Sequence, residues 1–154
     1  MLTYRTIDLE KDQGEIVEFR KDSFMTSFGD ISGFHKSNYL TYVEKMKEAF
    51  GDGFVMAEED GRTVGQLELS VKRYEGRVIG YIHLFYLVAE KRGKGYSGAL
   101  QSYAMDFFRK YRVGEYHLRV APANRRARQF YKKNGMVDIG PELDGKVIRM
   151  KGTI

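Results

Sequence analysis

Leu67, Leu69 and Val71 alternate with Glu68, Ser70 and Lys72, and this period of two predicts a β-strand over Val64–Val71 with one buried and one polar face. The turn dipeptide Asp60-Gly61 separates it from another extended run, Phe54–Glu58, so the two read as an antiparallel hairpin. Val78–Val88 behaves differently, because Ile82, Leu84 and Tyr86 are apolar and so are Tyr81, Phe85 and Leu87 on the alternate set. A strand that is apolar on both sides is covered on both, which places this one in the middle of a sheet. Elsewhere the period lengthens. Tyr39, Tyr42, Val43, Met46, Ala49 and Phe50 recur at spacings of three and four, as on one face of a helix ending before Gly51, and an earlier helix is read at Glu15–Phe24. Leu100, Tyr103, Ala104, Phe107, Phe108 and Tyr111 trace a further helical stripe, which Gly114 stops. Tyr116, Leu118 and Val120 then alternate with His117 and Arg119 as a strand, which closes a crossover with Val78–Val88 and is expected to run parallel to it. Asn124 is placed to cap one more helix, with Ala127, Phe130 and Tyr131 turned inward and Asn134-Gly135 at its end. Strands at Leu2–Ile7, Met136–Ile139 and Lys146–Lys151 complete a mixed sheet.

Composition limits what these elements can be. With 154 residues and no linker, repeat or low-complexity tract, the chain reads as a single domain over residues 1–154. The hydrophobic fraction is 42%, and Phe 10 with Tyr 11 supplies enough bulk for a core, which excludes disordered and fibrous classes. The Cys count is 0, so there is no disulfide framework, thiolate nucleophile or Cys-based zinc site, and no metal is expected. Arg5, Asp8 and Glu10 break up the N-terminus, unlike a secretion signal. The longest apolar run, Val78–Ala89, is interrupted by Gly80 and His83 and is too short to cross a bilayer. A soluble, cytoplasmic protein with no membrane partner is expected. The net charge of +5 suits a nucleic acid, an anionic cofactor or neither, so the placement of the charges has to decide.

Arg92-Gly93-Lys94-Gly95-Tyr96-Ser97-Gly98 lies between the buried strand and a helix start. Bare backbone N–H groups and the positive end of a helix together form an anion site, so a phosphate-bearing ligand is implied. A nucleotide-hydrolysing P-loop is excluded, since its pattern demands Gly where Val88 stands and Ser or Thr where Gly95 stands. The glycines also match G-x-G-x-x-G, which makes an NADP-binding oxidoreductase a rival. That fold requires an acidic residue near the end of the next strand, where this chain has Leu118, Arg119 and Val120. Arg125, Arg128 and Lys132 are spaced to share a helix face, but the neighbouring aromatics point inward, so no nucleic acid partner is expected.

Phe85–Gly98 together with Leu118–Met136 resembles the GNAT superfamily of N-acetyltransferases. The pattern [QR]-x-x-G-x-[GA] falls on Arg92 to Ser97, with Ser97 as the one departure, and V-x-x-x-N-x-x-A-x-x-x-Y-x-x-x-G falls on Val120, Asn124, Ala127, Tyr131 and Gly135. The resemblance implies an α/β fold, more fully an α+β mixed sheet of six to seven strands flanked by about four helices, with a splayed parallel strand pair in the middle. It implies acetyl-coenzyme A as acyl donor, with the pyrophosphate on residues 92 to 98. It also implies that the central strand leaves its neighbour just past Phe85, so that unpaired backbone groups at Leu87, Val88 and Ala89 meet the pantetheine arm. The N–H near Phe85 would then polarise the thioester carbonyl. The implied cofactor-binding set is Phe85, Leu87, Val88, Ala89, Arg92, Gly93, Lys94, Gly95, Tyr96, Ser97, Gly98, Asn124 and Tyr131.

The implied reaction is acetyl transfer to a primary amine by direct attack in a ternary complex. Tyr131 is the candidate general acid, since a phenol near pKa 10 matches a thiol leaving group, and a plain core role stands beside that reading. Many family members carry an acidic residue on the central strand where this chain has Tyr81. The base therefore stays open among His83, Glu68 and water. A non-catalytic acyl-coenzyme A sensor is the alternative that the missing carboxylate favours. Phe24, Phe28, Phe34, His35 and Tyr39, with Asp22 and Asp30 nearby, are placed to shape the pocket for a small-molecule or peptide amine. The family also admits a homodimer.

Overall fold

The computed structural model describes residues Met1–Ile154. Strands β1 (Thr3–Thr6), β2 (Phe54–Glu59), β3 (Arg62–Tyr74), β4 (Arg77–Leu87), β5 (Glu115–Val120), β6 (Val137–Glu142) and β7 (Val147–Thr153) form one sheet in the order β1-β2-β3-β4-β5-β7-β6. Helices α1 (Leu9–Phe28) and α2 (Lys36–Ala49) precede β2, α3 (Tyr96–Lys110) links β4 to β5, and α4 (Arg125–Lys133) follows β5. Every neighbouring pair is antiparallel except β4–β5, the pair joined by the single crossover helix α3. The expected mixed sheet with a parallel pair at its centre is therefore what the chain builds.

The two faces bury separate apolar clusters. Under α1 and α2 lie Ile16, Phe19, Val43, Phe54, Met56 and Leu84, while Leu67, Leu69, Ile82 and Leu118 pack under Leu100, Phe107 and Phe108 of α3. Helix α3 approaches β4 closely enough that a Cβ on Gly80 would sit 2.5 Å from the Phe108 ring, so that position accepts only a bare backbone.

Three expectations change. The early helix runs from Leu9 to Phe28, well beyond Glu15–Phe24 at both ends, since Asp8 accepts hydrogen bonds from the N–H groups of Glu10 and Lys11 and Gly29 closes the helix at φ 79°. The alternate face of β3 is not an open polar face: Gln66 and Glu68 are 0% exposed and Ser70 is 1%. The helices over that side bury polar residues that alternation alone assigns to solvent. Finally, β4 and β5 separate earlier than Phe85, for their pairing consists of Gly80↔Tyr116, Tyr81↔His117 and Ile82↔Leu118 and then stops. The cause is a bulge, because β3 pairs Glu68 with Leu84 and Leu69 with Ile82, so His83 is skipped. A bulge bends its strand, and β4 turns away from β5 at that point.

Candidate active site

Past Ile82 the two central strands diverge, and aromatic rings fill the inner end of the gap. The Phe85 ring lies 5.5 Å from Phe130 and 6.2 Å from Tyr131, perpendicular to the latter. The outer end remains open as a cavity of about 750 Å³, within the range that holds a sizeable small molecule. It is lined by Phe85 and Leu87 of β4, by Arg92, Gly93, Gly95, Ser97 and Gly98, and by Asn124, Ala127 and Tyr131 on and before α4. Residues that belong to two separate motifs in the sequence therefore meet across one cleft.

The floor of the cleft is backbone. Gly93 and Gly95 take left-handed φ values of 76° and 86°, and Gly95 stands at the N-cap of α3 with no side-chain cap hydrogen bond. The first N–H groups of α3 are left without intrahelical acceptors, as at any helix start, and here they face the cavity. A Cβ at Gly93 would lie 3.3 Å from the Arg126 guanidinium, whereas one at Gly98 meets nothing within 4 Å. Arg126 and Lys133 of α4 also line the cavity, so positive charge surrounds the amides. The site suits a diphosphate by both geometry and charge. The face shared by Arg125, Arg128 and Lys132 does not supply that charge, and Arg128 is turned to the Pro122 carbonyl and Asp138.

The structure divides the expected set. Val88, Ala89, Lys94 and Tyr96 are outside the cavity lining. The Tyr96 hydroxyl donates to Glu59 at 2.7 Å, with its ring under the Lys91 ammonium. The backbone at Leu87, Val88 and Ala89 is not the unpaired stretch expected. Val88 N donates to Val64 O at 2.9 Å, and the Leu87 carbonyl accepts from Arg92 Nε at 2.8 Å. The carbonyls of Val88 and Ala89 are used in the 3-10 turn Ala89–Lys91, which sequence periodicity cannot show. Alternation of the ladder directs the N–H groups of Phe85 and Leu87 away from β3, toward the gap. Arg92 is likewise committed: beyond Leu87 it pairs with Asp22 at 3.1 Å, and Asp22 also accepts from the Tyr86 hydroxyl at 2.5 Å. Sequence reading missed this tie between α1 and the glycine turn, together with Ser23, Thr26 and Ser27, which wall the cavity from α1. No motif marks them.

Asn124 caps α4 through its Oδ1, which accepts from Ala127 N at 3.3 Å, as expected for a residue before a helix. Tyr131 is 9% exposed, and burial among apolar groups pushes its phenol well above the usual range. Its hydroxyl is a proton donor at any ordinary pH.

The two base candidates sit on the other side of the sheet from Tyr131. Glu68 is buried beneath α2, where its Oε2 accepts from Tyr39 at 2.6 Å and from Gln66 at 3.0 Å, and desolvation raises its carboxyl. His83, at the bulge, lies 2.7 Å from Ser70 through Nε2, and burial with Lys72 and Arg20 nearby pushes the imidazole down to about 3. Neither lines the cavity. Phe24 packs edge to face on Phe28 and Phe34, Phe34 lies tilted against Tyr39 of α2, and Asp30 is occupied by Ser32. No helix is long and apolar enough to cross a membrane.

Similar folds occur in solved structures. A Pyrococcus horikoshii OT3 protein superposes with a TM-score of 0.76 at 23% identity, covering 100% of this chain and 99% of its own. PaiA N-acetyltransferase from Thermoplasma acidophilum, solved in complex with coenzyme A, gives 0.71 at 20% identity, covering 100% and 99%. Naa50 from Arabidopsis thaliana, in complex with a bisubstrate analogue, gives 0.71 at 19%, covering 99% of each chain. No curated protein matches the sequence significantly. The model of the Acetyltransferase (GNAT) family matches residues 15–136, which hold most of α1, the glycine turn and α4. On that match, with the shared fold beside it, the chain belongs to the Acetyltransferase (GNAT) family.

Proposed function

We propose that this protein, as a single catalytic domain, transfers an acetyl group from acetyl-coenzyme A to a primary amine by direct attack in a ternary complex. The observation that carries this reading is the cleft past Ile82, where amides of a helix start, the free edge of β4 and the Tyr131 hydroxyl converge on one cavity. Solved relatives bound to coenzyme A or to a bisubstrate analogue share the fold. Gly93, Gly95, Ser97 and Gly98 would hold the diphosphate, and the outward N–H groups of Phe85 and Leu87 the amide-bearing arm. The thioester supplies an activated acyl carbon with a thiolate as leaving group.

The chain's residues act on charge and protons. A backbone N–H beside Phe85, aimed at the acyl oxygen, stabilises the negative charge that develops there, an effect of about 3 kcal/mol per donor in other acyl transfers. As the amine nitrogen bonds to the acyl carbon and the carbon–sulfur bond breaks, Tyr131 gives its proton to the departing thiolate. Burial raises the phenol, and it raises a thiol in the same cleft, because both lose a proton to become anions, so the match between them survives. The amine proton leaves to water, since Glu68 is sealed under α2 and His83 is too weak a base when depressed to about 3.

Thiol release from acetyl-coenzyme A, measured with amines of different basicity, tests this. The rate constant kcat/KM should rise with pH up to each amine's own pKa, with no inflection near 6.5 that an ordinary histidine base would impose. An inflection shared by all the amines and lost in His83→Gln would contradict the water route. Tyr131→Phe should lower kcat about 100-fold with the affinity for acetyl-coenzyme A preserved, the scale of a lost general acid. Equal losses in affinity and turnover would show a packing role.

A further inference from the structure

At the vertex of the fork, on the face turned away from α3, the sheet carries a cluster of cations that the acetyl-transfer reading does not use. Tyr81 precedes Ile82, the last residue of β4 paired to β5, and its ring is stacked by charge: the Lys72 ammonium lies 4.1 Å from the centroid and the Arg149 guanidinium 5.6 Å. Arg119 stands opposite Arg149 in the β5–β7 ladder, and the two share one carboxylate, Glu142, at 2.8 Å each. Three cations therefore face one acid. The other acids on this face are taken: Glu68 is buried and held toward its neutral form, and Glu115 is paired with Arg77 and His117. Arg20 of α1 adds a further positive group, donating to the His83 carbonyl at 3.3 Å.

Lys72 is the unbalanced member. It makes no ion pair, and its ammonium is disfavoured first by burial and then by Arg149 and Arg119, with only Glu142 opposing. A solvent-exposed cation over an aromatic ring, with two guanidiniums nearby and no carboxylate of its own, is free to take an added anion. Its place also matters. The residues of β4 and β5 alternate across the sheet, so Tyr81, His83 and Arg119 stand across the parting of the strands from Phe85, Leu87 and Tyr131, on the side left free for an acceptor if the donor fills the cavity.

Resting on the acetyltransferase reading, the geometry points to an acceptor of stated chemistry: a small amine that carries a carboxylate or phosphate a few bonds from its nitrogen, with the anion seated on Lys72 and Arg119. The same positive field disfavours an ammonium beside it, so it helps keep the attacking amine neutral and selects against polyamines.

The test compares matched acceptors in the thiol-release assay with acetyl-coenzyme A: an amino acid, an aminoalkyl phosphate, the amino alcohol of equal length, and a diamine. The expected result is a KM for an anionic acceptor at least tenfold below that of the amino alcohol, rising with ionic strength as a charge contact does. The carboxylate and phosphate arms show which anion the seat prefers. Lys72→Met keeps the alkyl stem over Tyr81 and should raise KM for the anionic acceptor about tenfold with kcat little changed, the loss expected of one charge-assisted contact. Lys72→Arg should restore it. Equal KM values for the acid and the alcohol, or preference for the diamine, overturn the inference and leave acetyl transfer standing. Silence from every amine while acetyl-coenzyme A binds overturns both.

Discussion

At the scale of single residues, burial decides which groups can take part in proton transfer. Glu68 is a useful case, because its carboxyl is held above its ordinary value of 4.5 by desolvation. The folded state thus binds this proton more tightly than the unfolded chain. That contribution is fully present below the unfolded value and is lost as pH rises toward the raised folded one. Glu68→Gln removes the titration while keeping an amide in the same place. Urea unfolding should therefore show the variant gaining stability relative to the parent between pH 4 and pH 8. A difference between the two proteins that is the same at both pH values would mean that Glu68 is not desolvated. Such a carboxyl was not legible in the sequence, where Glu68 and Ser70 read as a solvated face. Alternation reports which residues share a side, and only the helices α1 and α2 reveal that this side is closed. Tyr131 was legible because Asn124, Ala127 and Gly135 frame it at fixed spacing.

Among the elements, the glycine turn and the helix it opens do the most to define the site. Gly93 holds φ 76°, which costs an L side chain about 1–2 kcal/mol, and its missing Cβ leaves room for the Arg126 guanidinium. Gly93→Ala should weaken acetyl-coenzyme A binding about tenfold, on the scale of that strain energy, when titrated calorimetrically. Unchanged affinity would show that the turn does not touch the ligand. Strand β4 and helix α3 were legible from long apolar stripes, and α4 from the Asn124 cap and the Gly135 that closes it. The bulge at His83 was not, because it follows from how β3 pairs across the sheet, and it moves the parting of the strands back from Phe85 to Ile82. The length of α1 was hidden for another reason: Gly14 and a mostly polar first half blur its stripe, while the Asp8 cap and Gly29 fix its ends. Neither did any pattern foretell that Asp22 on α1 would hold Arg92.

Taken whole, the molecule is a sheet with helices on both faces and one pair of neighbouring strands, β4 and β5, that interrupt their pairing and part past Ile82. Everything assigned to the site depends on that interruption. Antiparallel ladders join the strands on either side of β4 and β5, and the slot opens where those two part past Ile82. One face of the slot offers amides and the cations Arg126 and Lys133, and the other offers Lys72, Arg119 and Arg149, which would let two substrates enter from opposite sides. The measurement that bears most directly on this arrangement is isothermal titration of the protein with acetyl-coenzyme A. A single site per chain is predicted, with a negative heat-capacity change from burial of the arm between the strands and an affinity that falls as salt is raised. No heat of binding at millimolar ligand, across temperatures where the chain is folded, would contradict it.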